Sequence, residues 1–155
     1  MMVDVKKKVT KRYLVDKEKL PLLSNEKTVV SGYLGVDPTV RIRVTETGAW
    51  IQIWKPSDQT HFYEYEIPID EGEKISALCL QKTIKNTQIV EHGGREWRVN
   101  EYLGRHQGLW TATLEIDSKE GYEEPPWVTK NISNDSRFTD EALSKFQLPP
   151  RVEHL

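Results

Sequence analysis

Thr39-Val40-Arg41-Ile42-Arg43-Val44-Thr45 alternates without a break between branched apolar residues and polar or charged ones. Successive side chains of a strand point to opposite faces, so this run demands a sheet with one apolar side and one charged side. Residues 8–14, 49–54, 62–68, 87–91, 95–100 and 110–116 read as further strands. Thr47-Gly48 and His92-Gly93-Gly94 supply hairpin turns, and Pro56 and Pro68 close strands. Helical spacing is confined to residues 73–80 and to 140–145, where Thr139 can cap the first turn. Residues 103–109 read as a loop, and Pro125-Pro126-Trp127 opens an irregular stretch.

Sorting the strands by parity divides the chain's chemistry. Val40, Ile42, Val44, Ile51, Ile53, Tyr63, Tyr65, Val99, Ala112, Leu114 and Ile116 fall on one face. Lys8, Thr10, Arg12, Arg41, Arg43, Gln52, Glu64, Glu66, Arg98, Asn100, Thr113 and Glu115 fall on the other. A half-solvated antiparallel sheet alternates in this way with no site at all. Like charges at i and i+2, as in Arg41/Arg43 and Glu64/Glu66, repel modestly. A ligand or opposite charges enclosed by that face would offset the repulsion.

Any such ligand must be drawn locally, because 22 Lys and Arg against 24 Asp and Glu leave a net charge of −2. That balance carries no signal for double-stranded DNA. A single cysteine, Cys79, excludes an intramolecular disulfide and a thiolate cluster, and reads as a buried thiol. His61, His92, His106 and His154 show no metal-ligand spacing. No apolar run approaches membrane-spanning length, and no apolar stretch follows the basic N-terminus, so the expected setting is cytoplasmic, away from membranes. Without a repeat or linker, residues 1–155 read as one domain, with a body of about 5–145 and a loose tail at 147–155.

Several segments together resemble the CYTH family, the triphosphate tunnel metalloenzymes. They are, in order, Val9-Thr10-Lys11-Arg12-Tyr13-Leu14-Val15, Gly32-Tyr33-Leu34, Val40-Arg41-Ile42-Arg43 and Glu64-Tyr65-Glu66-Ile67-Pro68. His92-Gly93-Gly94 with Trp97, Gly108-Leu109 with Glu115, and Glu124-Pro125-Pro126-Trp127 are similar to the later landmarks. The resemblance implies an α+β, mainly β fold: an antiparallel eight-stranded tunnel-like barrel with flanking helices. It also implies a triphosphate on the inner wall, hydrolysed or cyclised with Mg²⁺ or Mn²⁺. Lys8, Arg12, Arg41, Arg43, Lys82, Lys85 and Arg98 are then the phosphate-binding candidates, and Glu64, Glu66 and Glu115 the metal ligands.

The departures from the family pattern carry information of their own. The opening Glu-x-Glu-x-Lys signature falls on Lys8, Thr10 and Arg12, and a lysine expected two strands later falls on Trp54. Asn86 and Gln88 occupy a basic pair in the alignment with fewest gaps, leaving Lys82 or Lys85 to substitute under another register. The inner face thus gains cations and loses acids, and a hard metal ion needs several oxygen ligands. The expected function is binding of a phosphorylated small molecule or RNA end, by nucleotide, polyphosphate or triphosphate chemistry, with weak or no hydrolysis. Two alternatives remain open: an active metal-dependent triphosphatase with a rearranged site, and a non-catalytic module that binds RNA or a protein partner.

Overall fold

The alternating runs become strands of one antiparallel sheet. The computed structural model describes residues 9–21, 26–117 and 120–145. Among them, in chain order, are β1 (Val9–Val15), β2 (Lys27–Val36), β3 (Thr39–Thr45), β4 (Ala49–Lys55) and β5 (Asp58–Ile67). Then come α1 (Ile69–Leu78), β6 (Gln81–His92), β7 (Arg95–Tyr102), β8 (Trp110–Ile116), β9 (Val128–Asn131) and α2 (Asp140–Lys145). The basic residue Lys8 and the 147–155 tail lie outside the described residues. No helix among the described residues is long and apolar enough to cross a membrane.

The sheet order is β5-β4-β3-β2-β6-β7-β8-β1-β9, with nine strands among the described residues. This corrects the expected eight-stranded closed barrel: the sheet is open. Closure would require β1 to meet β5, but part of the free edge of β1 is taken by β9, through Tyr13 opposite Asn131 and Val15 opposite Val128. That short strand follows the Pro125-Pro126 stretch, where no alternation announces it. β5 and β9 remain as edges. The sheet nevertheless curls around its polar side, since Arg12 of β1 and Phe62 of β5 line one cavity.

The apolar face carries two cores. Tyr13, Trp97, Val99, Ala112, Leu114 and Trp127 pack on the β1, β7 and β8 side, with Trp97 and Trp127 edge to face at 5.7 Å. Buried aromatic surface of this kind is the largest single driving term for a small domain. Ile42, Val44, Ala49 and Cys79 form the second core beneath α1. There α1 comes close enough that a Cβ added to Gly72 would overlap that of Ala49. A gain in helix propensity of about 1 kcal/mol from Gly72→Ala is outweighed by an overpacking cost of about 1–3 kcal/mol. Urea denaturation is therefore expected to show a lowered midpoint; a raised one would mean α1 has room to lift.

A third cluster lies at one end of the polar face, where Leu14, Tyr102, Leu109, Ile132, Phe138 and Leu143 seat the C-terminal segment. The Ala142 amide donates to Thr139 Oγ1 at 3.1 Å, so Thr139 caps α2 as the sequence suggests. This seating brings the first turn of α2 over the charged side chains.

Candidate functional site

The charged residues of β3 reach the polar face because they alternate with fully buried Ile42. Arg41 lies opposite Gln52, which lies opposite Glu64; Arg43 lies opposite Trp50, which lies opposite Glu66. Side chains follow the first of these rows. Arg41 Nε donates to Gln52 Oε1 at 2.7 Å, and Gln52 Nε2 donates to Glu64 Oε2 at 2.6 Å. Buried Gln52 thereby holds both a cation and an anion in fixed orientation.

On β6, pairing with β2 fixes a register that the sequence left open. Val29 opposite Lys85 and Ser31 opposite Thr83 put Lys85 and Thr87 on the polar face. Lys82 lies opposite Gly32, on the face that a Cβ at Gly32 would share with Cys79. Asn86 and Gln88 alternate to that same opposite face, where Asn86 accepts from the Thr28 hydroxyl at 2.8 Å. Continuing across the sheet, Arg98 lies opposite Ile89 and Thr113, and Thr113 lies opposite Arg12. Thr87 donates to Asn100, and Asn100 donates to Thr111, extending a polar ladder over three strands.

These residues enclose a cavity of about 620 Å³ with Arg43, Trp50, Lys85, Thr87, Arg98 and Asn100 in its wall. Of the phosphate-binding candidates, Arg43, Lys85 and Arg98 meet here. Arg12 and Arg41 line a neighbouring cavity, Lys82 lies on the opposite face, and Lys8 is not among the described residues. Arg43 is the unusual member. Burial, then the nearby charges of Arg41 and Arg98, hold its guanidinium pKa below the ordinary arginine range, against weaker support from Glu64 and Asp140. Among the described residues no carboxylate forms an ion pair with Arg43, Arg41 or Arg98. Three cations converging without such a partner attract an anion of matching charge.

One anion from the chain itself stands at the edge of this group. Asp140, in the first turn of α2, accepts from Lys85 Nζ at 2.9 Å and from the Tyr102 hydroxyl at 2.7 Å. Burial alone would raise its pKa, but Lys85, the Tyr102 hydrogen bond and Arg41 hold it far below the usual carboxylate range. Burial and Asp140 push the Tyr102 hydroxyl in the opposite direction, well above its ordinary value. Asp140 and Tyr102 escaped sequence reasoning. The Thr139 cap locates the helix, but nothing local says that its first acid meets Lys85, 55 residues earlier.

The acids do not assemble as the metal-ligand reading expects. Glu64 and Glu66 sit on edge strand β5, whereas Glu115 lies opposite Thr10 and lines a cavity of about 230 Å³ that shares Glu96, Arg98 and Thr113 with the larger one. Among the described residues, no three His, Cys, Asp or Glu side chains are placed to hold a metal ion. Glu64 accepts from the Gln52 amide through one oxygen, and among the described residues the three acids are not gathered as one ligand set.

The chain is 27% identical over 146 residues to the inorganic triphosphatase of Acetivibrio thermocellus, covering 90% of this chain and 94% of that protein. Its fold is similar to that of the inorganic triphosphatase NE1496, with a TM-score of 0.75 at 17% identity over 95% of this chain and 100% of the other. A second NE1496 crystal structure, described as that of a hypothetical protein, gives 0.75 at 18% identity, covering 91% and 99% of the two chains. No family model matches the chain.

Proposed function

Because the chain is a divergent member of the CYTH, or triphosphate tunnel, family, we propose that its polar sheet face binds the phosphate chain of a phosphorylated ligand with weak or no turnover. The carrying observation is the convergence of Arg43 with Arg41 and Arg98, in which a half-buried guanidinium is crowded by its own kind. Guanidinium groups donate to phosphate oxygens in paired, directional bonds, and a triphosphate supplies enough charge to neutralise all three. Lys85, paired with Asp140, lines the same cavity, and Thr87 adds a hydroxyl donor.

Binding and catalysis separate at the acids. Phosphoryl transfer relies on positioning and on charge stabilisation of the transferred group, normally by metal ions held in place. Here Glu64 and Glu66 share one face of β5, and Mg²⁺ or Mn²⁺ would enter as the counter-ion of the phosphates rather than as a resident group. Release of phosphate from inorganic triphosphate, followed with Mg²⁺, with Mn²⁺ and with chelator, is expected to stay near the protein-free rate. Metal-dependent turnover that disappears in Glu64→Gln or Glu66→Gln would instead establish an active triphosphatase with a rearranged site.

A further inference from the structure

Opposite charges on the polar face stand two strands apart, and the strand between them carries none there. Arg41 and Arg43 lie on β3, Glu64 and Glu66 on β5, and β4 interposes Gln52 in one row and Trp50 in the other. Adjacent strands are about 4.8 Å apart, so the two charges of a row start roughly 10 Å apart at the backbone. Arginine and glutamate side chains together can close that distance. The resulting ion pair would neutralise the arginine before any ligand arrived. For Arg41 no such pair forms among the described residues, and uncharged partners hold it instead. Its guanidinium donates to Gln52 and lies 4.9 Å from the centroid of the Trp54 ring. It does so in the wall of a cavity of about 340 Å³, to which Tyr33, Trp54 and Phe62 bring aromatic rings. Burial pushes the Tyr33 hydroxyl up to about 12 against the pull of Arg41, so this neighbour is neutral as well. Asp140 also lines that wall, but its hydrogen bonds go to Lys85 and Tyr102.

Resting on the phosphate-binding reading above, we infer that Gln52 is a positioning residue for anion capture: a neutral spacer that keeps Arg41 from collapsing onto Glu64 and so leaves its charge to the ligand. A carboxamide suits this interval because it accepts at one end and donates at the other. Gln52 Oε1 accepts from Arg41 Nε at 2.7 Å, while Gln52 Nε2 donates to Glu64 Oε2 at 2.6 Å. Each charged group gains a hydrogen bond, and neither charge is cancelled. Gln52 is only 3% exposed, so water competes weakly for both bonds. An apolar residue here would leave two charged groups to find each other. An acid would pair with Arg41 itself.

The test is calorimetric titration of the whole chain with tripolyphosphate, with chelator present so that no metal ion bridges to Glu64. It compares the four chains of a double-mutant cycle: native, Gln52→Met, Glu64→Gln and both changes together. Gln52→Met alone is expected to weaken binding about tenfold, because Arg41 turns to the carboxylate. Added to Glu64→Gln, the same change should cost no more than about twofold, since no carboxylate remains there for Arg41 to join. Gln52→Glu keeps the native shape and serves as the second variant. It should lose about tenfold in both backgrounds, because its own carboxylate pairs with Arg41. Thermal unfolding identifies the variants that are folded and can be compared. Equal losses for Gln52→Met with and without Glu64 would overturn the spacer, reducing Gln52 to a structural support of Arg41. Native affinity in Gln52→Met or in Gln52→Glu would overturn it too, with phosphate binding left intact. Failure of the native chain to bind tripolyphosphate would instead overturn the phosphate-binding reading, and the spacer with it.

Discussion

Arg43→Met is expected to bind tripolyphosphate about 100-fold more weakly than the native chain while unfolding at the same temperature or higher. The two halves of this result have one cause. In the free protein Arg43 is a desolvated cation whose nearest charged neighbours include Arg41 and Arg98, so its charge is held at a cost. Methionine fills similar volume along the strand without that charge, and relief of repulsion offsets any loss of packing. Once a phosphate chain is present, the same guanidinium donates two charge-assisted hydrogen bonds, worth together about 3 kcal/mol. A residue kept for folding alone would show the reverse pattern, losing stability and leaving affinity unchanged. Calorimetric titration paired with thermal unfolding distinguishes the two.

Asp140→Asn is expected to move both quantities the other way. Its carboxylate is the built-in counter-ion of Lys85, 18% exposed like its partner and also bound by Tyr102. Neutralising one member of a largely buried pair leaves Lys85 uncompensated, at a cost of about 2 kcal/mol. The melting temperature should fall by roughly 4–8 °C. Freed from Asp140, Lys85 can turn to an incoming anion, and tripolyphosphate affinity should rise by about tenfold. The pH dependence follows from the direction of the shift. The folded-state pKa of Asp140 is depressed, so its stabilisation is fully present above the unfolded carboxylate value of about 4. It is lost as pH falls below that value. The native chain should therefore lose stability on acidification more steeply than Asp140→Asn. Parallel acid limbs for the two proteins would show that Asp140 carries no such linkage.

Strand alternation explains how much of this fold can be read in advance. Thr39–Thr45 forms a strand over its full length, and Arg41, Arg43, Gln52, Glu64 and Glu66 share the polar face that parity assigns them, while the registers Arg41–Gln52–Glu64 and Arg43–Trp50–Glu66 come from strand pairing. The openness of the sheet was not legible, because it depends on four residues of β9 occupying an edge that alternation leaves unassigned. The register of β6 was hidden for another reason. Its polar and apolar residues mix on both faces, so only pairing with β2 decides that Lys85, not Lys82, joins the cations. Asp140 and the aromatic cavity lie beyond any local pattern. They arise where the C-terminal segment packs on the polar face through Phe138, ahead of α2, and Leu143 within it, a contact set by the third apolar cluster. Departures from the family motif did carry chemical meaning at Trp54, where a ring braced by Arg41 stands at the position of an expected lysine.

The most direct test is a crystal structure of the chain soaked with tripolyphosphate. The expected result is density for the phosphate chain within the larger cavity, with oxygens in hydrogen-bond reach of Arg43, Arg98 and Lys85. Density confined to the surface loop around Lys130 and Arg137, with the sheet face empty at saturating ligand, would contradict it.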